Sequence, residues 1–338
     1  MAYKVFSNGD ALTGSELNTY LMNQSVMVFA SATARTAALP SPSEGMVTYL
    51  EDTNVLYLWT GATWQNIVSV SGTGNILINS NFVVNQRSYT SGTSLSTGAY
   101  GVDRWKATSN NSSMTFTYSV NGYPVTINSG GSFAQVIEQT NIPGSGSYTL
   151  SWSGTATGRV YNSGSTAPSY AASPVTVTLD GTANVVVEFE ATGGTKTLEK
   201  VQLEKGTSAT NWRLQSNGFE AELAKCQRYY IRYNAGSSGY GKVAQGFALG
   251  SNSVAFGFPV PVEMRTVASS VDYSTIGNWR AYDNVSEKTG SSFSLDTAST
   301  TKFINVELVG VGSATTSRPY FLRAFNDTAA YIGFSAEL

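Results

Sequence analysis

Between Lys200 and Tyr233 the chain reads KVQLEKGTSATNWRLQSNGFEAELAKCQRYYIRY, and its periodicity changes twice within that span. Val201 and Leu203 point one way while Gln202 and Glu204 point the other, the two-residue repeat of a half-buried strand. The chain leaves that sheet through Gly206. Phe219, Leu223 and Cys226 then follow at spacings of four and three, which predicts one short helix burying all three. A second sheet begins at Arg228. The segment is therefore a junction between two β-domains, and whatever lies on either side must be built from strands that end and begin here.

The rest of the composition agrees. At 338 residues the chain is long enough for two or three domains with cores of their own. Charged residues make up 12%, against roughly a quarter in an ordinary soluble domain. Thr, Ser, Gly and Asn take their place, and with 19 Tyr and 15 Phe they describe short strands joined by polar turns.

Several function classes are disfavoured at this level. The net charge of −2 hides no basic domain, since residues 1–75 carry −3, 76–213 carry +1 and 214–338 carry zero. Without a cationic stripe to replace phosphate counterions, nucleic acid is not an expected partner. The chain has no histidine, which removes the commonest general base and transition-metal ligand. The single Cys226 forms neither an intrachain disulfide nor a thiolate cluster, and on an apolar helix face it reads as a small core residue. No cofactor or metal is expected. No segment approaches the ~20 apolar residues that cross a bilayer, so no membrane insertion is expected. MAYKVFSNGDALTG lacks the apolar run of a signal peptide, so if the protein works outside a cell it is expected to leave by another route.

Three units follow along the chain. In residues 1–75, Thr13 or Ser15 can cap a helix predicted over roughly Glu16 to Arg35. Leu17, Leu21 and Val28 lie on one seam of that helix, and Met22, Val26 and Phe29 on another. Two apolar seams suggest burial against more than one neighbour. Pro40 and Pro42 turn the chain into a predicted meander, Met46–Leu50, Val55–Trp59 and Trp64–Val68. Three strands and a helix make a thin core, so self-association is expected to supply the missing burial. Residues 71–75, SGTGN, read as a hinge. Residues 76–213 hold seven or eight short strands with turn residues between them, which predicts a jelly-roll-like sandwich. Residues 214–338 add the short linker helix and strands that read as an antiparallel C-terminal sandwich.

The wording of the junction resembles the end of a carbohydrate-binding-module-like domain in phage tail fibre and minor tail proteins. The matching residues are Val201, Gln202, Leu203, Glu204, Gly206, Ala209, Thr210 and Trp212, then Glu222, Leu223, Ala224, Cys226, Gln227, Arg228, Tyr229 and Tyr230. One departure is Asn211, where that family continues with Pro. The opening is similar to that of phage minor tail proteins through Gly9, Asp10, Leu12, Thr13, Leu17, Asn18, Thr19, Tyr20, Leu21, Met22 and Gln24, then Glu44, Gly45, Met46, Tyr49, Leu50 and Asp52. The closing AYIGFSAEL resembles the last strand of tail-fibre tips. The resemblance implies a fibrous homotrimer on the virion tail, extracellular when functional. Residues 1–75 would attach it to other tail or baseplate proteins, and the tip would meet a host-surface glycan.

Candidate side chains divide into those with a chemical reading and those with a packing one. Asp103-Arg104-Trp105 puts a carboxylate, an arginine and an indole together, a grip for a sugar. Strand alternation would instead put Trp105 in a core. Glu138, Glu188 and Glu190 invite a glycosidase reading, with Glu188 and Glu190 about 7 Å apart on one strand face and solvated strand residues as the default. The glycine-rich stretches near 129–132 and 236–242 lack the spacing of a phosphate loop. The better ligand candidates are aromatics and their polar neighbours on loops: Tyr161, Asn162 and Tyr170 in the middle domain, and Tyr240, Asn278, Trp279, Arg280 and Tyr282 in the last. Packing against a neighbouring chain is the alternative for these. The expected function is non-enzymatic glycan adhesion, with a tail-borne depolymerase or a purely structural tail component as alternatives.

Overall fold

A computed structural model describes residues 8–9, 11, 13–20, 25–68, 74–117 and 124–338. The chain forms two compact units, Met1–Gly72 and Thr73–Leu338. Both are mainly β, and no helix among the described residues is long and apolar enough to cross a membrane.

In the first unit the predicted meander is present as Val47–Leu50, Val55–Trp59 and Trp64–Val68. The long helix is not. Gly14–Tyr20 is a short helix, Val26–Phe29 is a strand lying parallel to Val47–Leu50, and Ala32–Ala38 is a second short helix. Val26 and Val28 are β-branched residues in alternation with Met27 and Phe29, a pattern that fits an edge strand better than a helix interior. Ser31 then starts a new helix by accepting a hydrogen bond from the Ala34 N–H at 3.2 Å. Arg35 leaves that helix to lie over the rings of Trp64 and Tyr57, at 4.3 and 4.8 Å. In place of two helical seams, Val26 and Val28 share an exposed strand face, Phe29 points to the other side, and Leu17 is exposed on its own helix. Leu21 and Met22 lie outside the described residues, as does most of the expected hinge.

In the second unit every described strand pair is antiparallel. The middle sandwich has a four-stranded sheet in the order Thr157–Asn162, Val185–Glu190, Ser132–Ile137, Lys106–Ala107. Its five-stranded partner runs Val175–Leu179, Gly146–Gly154, Lys196–Lys205, Val125–Ile127, Met114–Phe116. Phe133, Val187 and Phe189 from one sheet meet Tyr148, Leu150, Trp152 and Leu203 from the other in one core. Trp152 and Phe189 pack edge to face at 5.0 Å, and Gly158 passes so close that a Cβ there would stand 2.8 Å from Phe189. The VQLE strand owes its polar letters to the turn that follows it. The Glu204 carboxylate accepts from the Thr210 N–H, the Thr210 hydroxyl and the Gln202 amide, while the Gln202 carbonyl oxygen accepts from the Arg213 N–H.

The linker helix is Phe219–Gln227, and of the three residues its apolar spacing expects to be buried, Cys226 lies in a core with Leu223 packed against it while Phe219 does not. Glu222 and Cys226 point inward, and Phe219 is half exposed. Glu222 is held there because its carboxylate accepts the backbone N–H of Asn79. Burial pushes the Cys226 thiol well above its ordinary range.

The C-terminal sandwich pairs a three-stranded sheet, ordered Tyr230–Asn234, Tyr331–Ser335, Ser270–Tyr273, with a seven-stranded one. The larger sheet runs Glu287–Lys288, Trp279–Tyr282, Pro319–Ala324, Lys242–Ala248, Ser253–Pro259, Phe303–Val309, Ser292–Leu295. Phe256, Phe258, Trp279, Leu322, Ile332 and Phe334 fill the space between them.

Candidate binding surfaces

The outward face of the seven-stranded sheet collects most of the C-terminal candidates. Alternation sends Trp279 and Ala281 into the core and leaves Arg280 and Tyr282 outside. On the next strand Tyr320, Leu322 and Ala324 are buried while Phe321 and Arg323 face out. A register shift between Lys242 and Ala244, a β-bulge, leaves Lys242 opposite Arg323. The register then makes rows across the strands: Tyr282 faces Phe321 and Phe321 faces Gln245, while Arg280 faces Arg323 and Arg323 faces Lys242.

Each cation lies over a ring of this face. Arg323 is 3.9 Å from the Tyr282 centroid and 5.1 Å from that of Tyr240, Lys242 is 3.9 Å from Phe321, and Arg280 is 4.1 Å from Phe325. Tyr240 stands on edge against Phe325 and is 48% exposed. At the other end Phe247, 60% exposed, borders a cavity of about 360 Å³ together with Gln245, Asp283, Asn284, Pro319 and Phe321. That is a volume in the range of small-ligand sites. Burial disfavours charge on Asp283, yet the N–H groups of Ser286 and Val285 and the Arg318 guanidinium at 3.0 Å outweigh it and hold the carboxyl below its usual range.

Of the residues expected here, Tyr240, Arg280 and Tyr282 come together on this face. Trp279 does not: it is fully buried against Phe293, because the strand it opens has its odd-numbered residues on the core side. Asn278 donates its amide to the Asp327 carboxylate and so fastens a turn. Lys242, Phe247, Phe321, Arg323 and Phe325 belong to the face and were not among the expected residues. For Phe321 and Arg323 the signal lay in the alternation of PYFLRA, which places them on the side opposite Tyr320 and Leu322.

The middle-domain candidates form a smaller, closed group. Tyr161 and Asn162 end a strand, where a loop was expected, because Thr157–Asn162 pairs along its whole length with Val185–Glu190. Arg159 lies between Tyr161 and Tyr170, 5.5 and 4.0 Å from their centroids. Its Nε and Nη2 reach Glu188 at 2.8 and 2.7 Å, and its Nη1 donates to the Pro168 carbonyl. Glu188, expected to be solvated, is buried with its carboxylate held by Arg159 and Tyr161. Burial, reinforced by Glu188, pushes the Tyr170 hydroxyl upward. The Asn162 amide oxygen is buried without a hydrogen-bond partner.

Asp103-Arg104-Trp105 is an internal joint between the two sandwiches. Trp105 is fully buried between Phe82 and Phe189 and donates its indole N–H to the Asn79 carbonyl. Arg104 pairs with Glu337, donates to the Val136 carbonyl at 2.6 Å and lies 3.5 Å from the Tyr229 ring centroid. Arg87 covers the Tyr230 ring at 3.7 Å, with Glu337 at 3.4 Å and Asp103 at 3.6 Å, the latter too long for a hydrogen bond. The Leu338 carbonyl accepts from Tyr100 and Lys106. The Tyr229-Tyr230 pair of the junction motif thus supplies ring faces for one buried arginine, Arg104, and one partly buried, Arg87.

Among the described residues no group of three or more acidic or thiol side chains is placed to hold a metal ion. No family model matches the chain, and no curated protein matches it in sequence. Solved structures similar to it include the N-terminal CBM22-1-CBM22-2 tandem domain from Paenibacillus barcinonensis Xyn10C, 9% identical, covering 74% of this chain and 98% of that one at a TM-score of 0.22. Wild-type discoidin II from Dictyostelium discoideum is 10% identical over 78% of this chain and 92% of that one, with a TM-score of 0.17. A Paenibacillus sp. cycloisomaltooligosaccharide glucanotransferase complexed with cycloisomaltoheptaose is 9% identical over 74% and 46%, with a TM-score of 0.20. At these values the likeness carries no weight for ligand or activity.

Proposed function

We propose that the chain is an adhesin that holds a cell-surface glycan on the outward face of its C-terminal sheet. The observation that carries this reading is the pair of exposed rings, Tyr240 and Phe247, at the two ends of a face that carries Arg280, Arg323 and Lys242, with a 360 Å³ cavity beside Phe247. Ring faces suit the C–H faces of sugars, and fixed donors suit their hydroxyls. The proposed setting is a phage tail fibre or minor tail protein on the virion, as the opening, junction and closing motifs imply. There residues 1–75 would attach to other tail or baseplate proteins, and the C-terminal domain behind the jelly-roll-like middle domain would meet the glycan. Self-association as a homotrimer draws support from Leu17, Val26 and Val28, which are 41 to 58% exposed. Three weak sites on one fibre, and many fibres on one virion, would raise avidity by orders of magnitude without new contacts.

Adhesion proceeds here without bond cleavage. The depolymerase reading needs a carboxylic acid free to give up a proton, and Glu188 is tied to Arg159 and Tyr161. Glycan-array binding of the full chain, repeated with Tyr240→Ala and Tyr282→Ala together, tests the assignment. Loss of binding with an unchanged melting temperature is expected, and retained binding would move the site elsewhere. Light scattering should return about three chain masses; a clean monomer at micromolar concentration contradicts the trimer.

A further inference from the structure

The register of the C-terminal sheet sets three cations in line, Arg280 opposite Arg323 and Arg323 opposite Lys242, across three adjacent strands. With strands about 4.8 Å apart the row spans about 10 Å. Like charges placed directly opposite on one sheet face oppose folding, so such a row calls for something to offset it. Among the described residues one carboxylate, Glu287, pairs with the row, at Arg323. Arg280 uses its Nη1 on the carbonyls of Gly277 and Trp279, at 2.7 and 2.8 Å, and among the described residues its Nε and Nη2 have no hydrogen-bond acceptor. Among the described residues the Lys242 ammonium has ring faces, those of Phe321 and Tyr282, as its partners. The Arg323 Nε is buried with no hydrogen-bond partner. Burial, then the neighbouring Arg323, lowers Arg280 below the ordinary range of a guanidinium, the direction expected where positive charge is in local excess.

We propose that this row selects an acidic saccharide, a short stretch of polysaccharide whose carboxylate or sulfate groups meet Arg280, Arg323 and Lys242 while its sugar rings lie against Tyr240 and Phe247. The proposal rests on the reading that this face binds glycan, and adds the chemical class. Nucleic acid is the other anionic polymer with flat rings, but a phosphate backbone needs a longer cationic track than 10 Å, and residues 214–338 carry no net charge. A ligand of two or three acidic sugars matches both the length of the row and its excess of two positive charges over Glu287.

The test is equilibrium binding of the full chain to four probes: oligogalacturonate, its carboxyl-reduced neutral counterpart, dextran sulfate and a single-stranded oligonucleotide. Oligogalacturonate, dextran sulfate or both should bind, with affinity falling as salt rises. Arg280→Gln and Lys242→Gln should each weaken that binding about tenfold, the loss of one charge-assisted contact. Preference between the first and third probes tells carboxylate from sulfate. Equal binding of the carboxyl-reduced probe, or array binding confined to neutral glycans, overturns the acidic class and leaves the glycan reading standing. Silence on every acidic and neutral glycan overturns both. Tightest binding to the oligonucleotide overturns the saccharide assignment. Should either variant fail to fold, the salt dependence of the unmodified chain decides alone, and an affinity indifferent to salt counts against the row.

Discussion

Two assemblies on this chain are made from the same parts and reach opposite states. At the joint between the sandwiches, Arg87 and Arg104 lie over Tyr230 and Tyr229, and Asp103 and Glu337 answer them charge for charge. On the C-terminal sheet, Arg280, Arg323 and Lys242 lie over Phe325, Tyr282 and Phe321, with Glu287 as their paired carboxylate. Both are arginine-and-ring clusters on a β-scaffold. The first is sealed, with Arg104 at 2% exposure and Glu337 at 6%; the second is open and positive. Arginine beside an aromatic ring therefore says nothing of function until the carboxylates and the burial around it are known. Neutralised and closed, the cluster holds domains together; in excess and open, it has donors to offer.

The comparison is broken most easily at its strongest point. Arg104→Ala leaves Glu337 buried with less of its compensation, and removing one partner of a buried pair costs about 3–5 kcal/mol. Denaturant unfolding should show that loss, and Glu337→Gln added to Arg104→Ala should recover part of it. A loss below ~1 kcal/mol would mean the joint is solvated and the contrast with the open face is false.

Trp279→Ala should cost a similar ~3–5 kcal/mol, as for other fully buried large side chains. This residue marks where sequence reading stops being enough. The meander Val55–Trp59 and Trp64–Val68 and the strands Val175–Leu179 and Val185–Glu190 start and end where alternation and turn residues place them. Those boundaries are local properties. Which side of Trp279-Arg280-Ala281-Tyr282 faces the core is set by pairing with Pro319–Ala324, some forty residues away, and polar neighbours made the indole look exposed. Lys242–Ala248 was hidden for a related reason, since its approach is a Gly/Ser run and Gly246 interrupts it. A Cβ at Gly246 would stand 1.7 Å from the Ala255 carbonyl oxygen, a contact made by the partner strand. Glu222 in the linker helix was missed likewise, because its partner Asn79 lies in a different domain. Melting of the Trp279→Ala domain with binding kept by the surviving folded fraction would confirm it as core; loss of binding with the fold intact would return it to the site.

The sealed cluster should also carry a pH signature that the open one lacks. Burial pushes the Asp103 carboxyl up to about 6, against the pull of Arg87 and the Gln86 hydrogen bonds, with Glu337 adding to the rise. Its folded value lies above the ordinary 3.8, so between about pH 4 and 6 the native state holds a proton that the unfolded chain has released. Stability from this group therefore falls as pH rises through that window, by on the order of 3 kcal/mol, and is level above it. Carboxylates held low, such as Asp283, act with the opposite sign and at lower pH. The difference between the chain and Asp103→Asn isolates the effect: it should change between pH 4 and 6 and be flat from 7 to 8. A flat difference throughout would show Asp103 to be ionised at every pH tested.

The smallest expected effect separates the two clusters most sharply. Lys242 has ring contacts but no paired carboxylate among the described residues, and it stands directly opposite Arg323. Replacing it with Gln gives up a partly exposed cation–π contact of about 0.5–1 kcal/mol and relieves a like-charge opposition of about the same size. The two terms cancel, and the stability of Lys242→Gln should stay within ~0.5 kcal/mol of the parent in denaturant titrations at low salt. Raising the salt should stabilise the parent slightly more than the variant, because screening removes a repulsion that only the parent has. Arg104 cannot be replaced on such terms, since Glu337, the Val136 carbonyl and the Tyr229 ring face it from buried positions. A loss of 2 kcal/mol or more in Lys242→Gln would show that the row is already compensated from within the fold, and would remove the reason to look for an acidic ligand outside it.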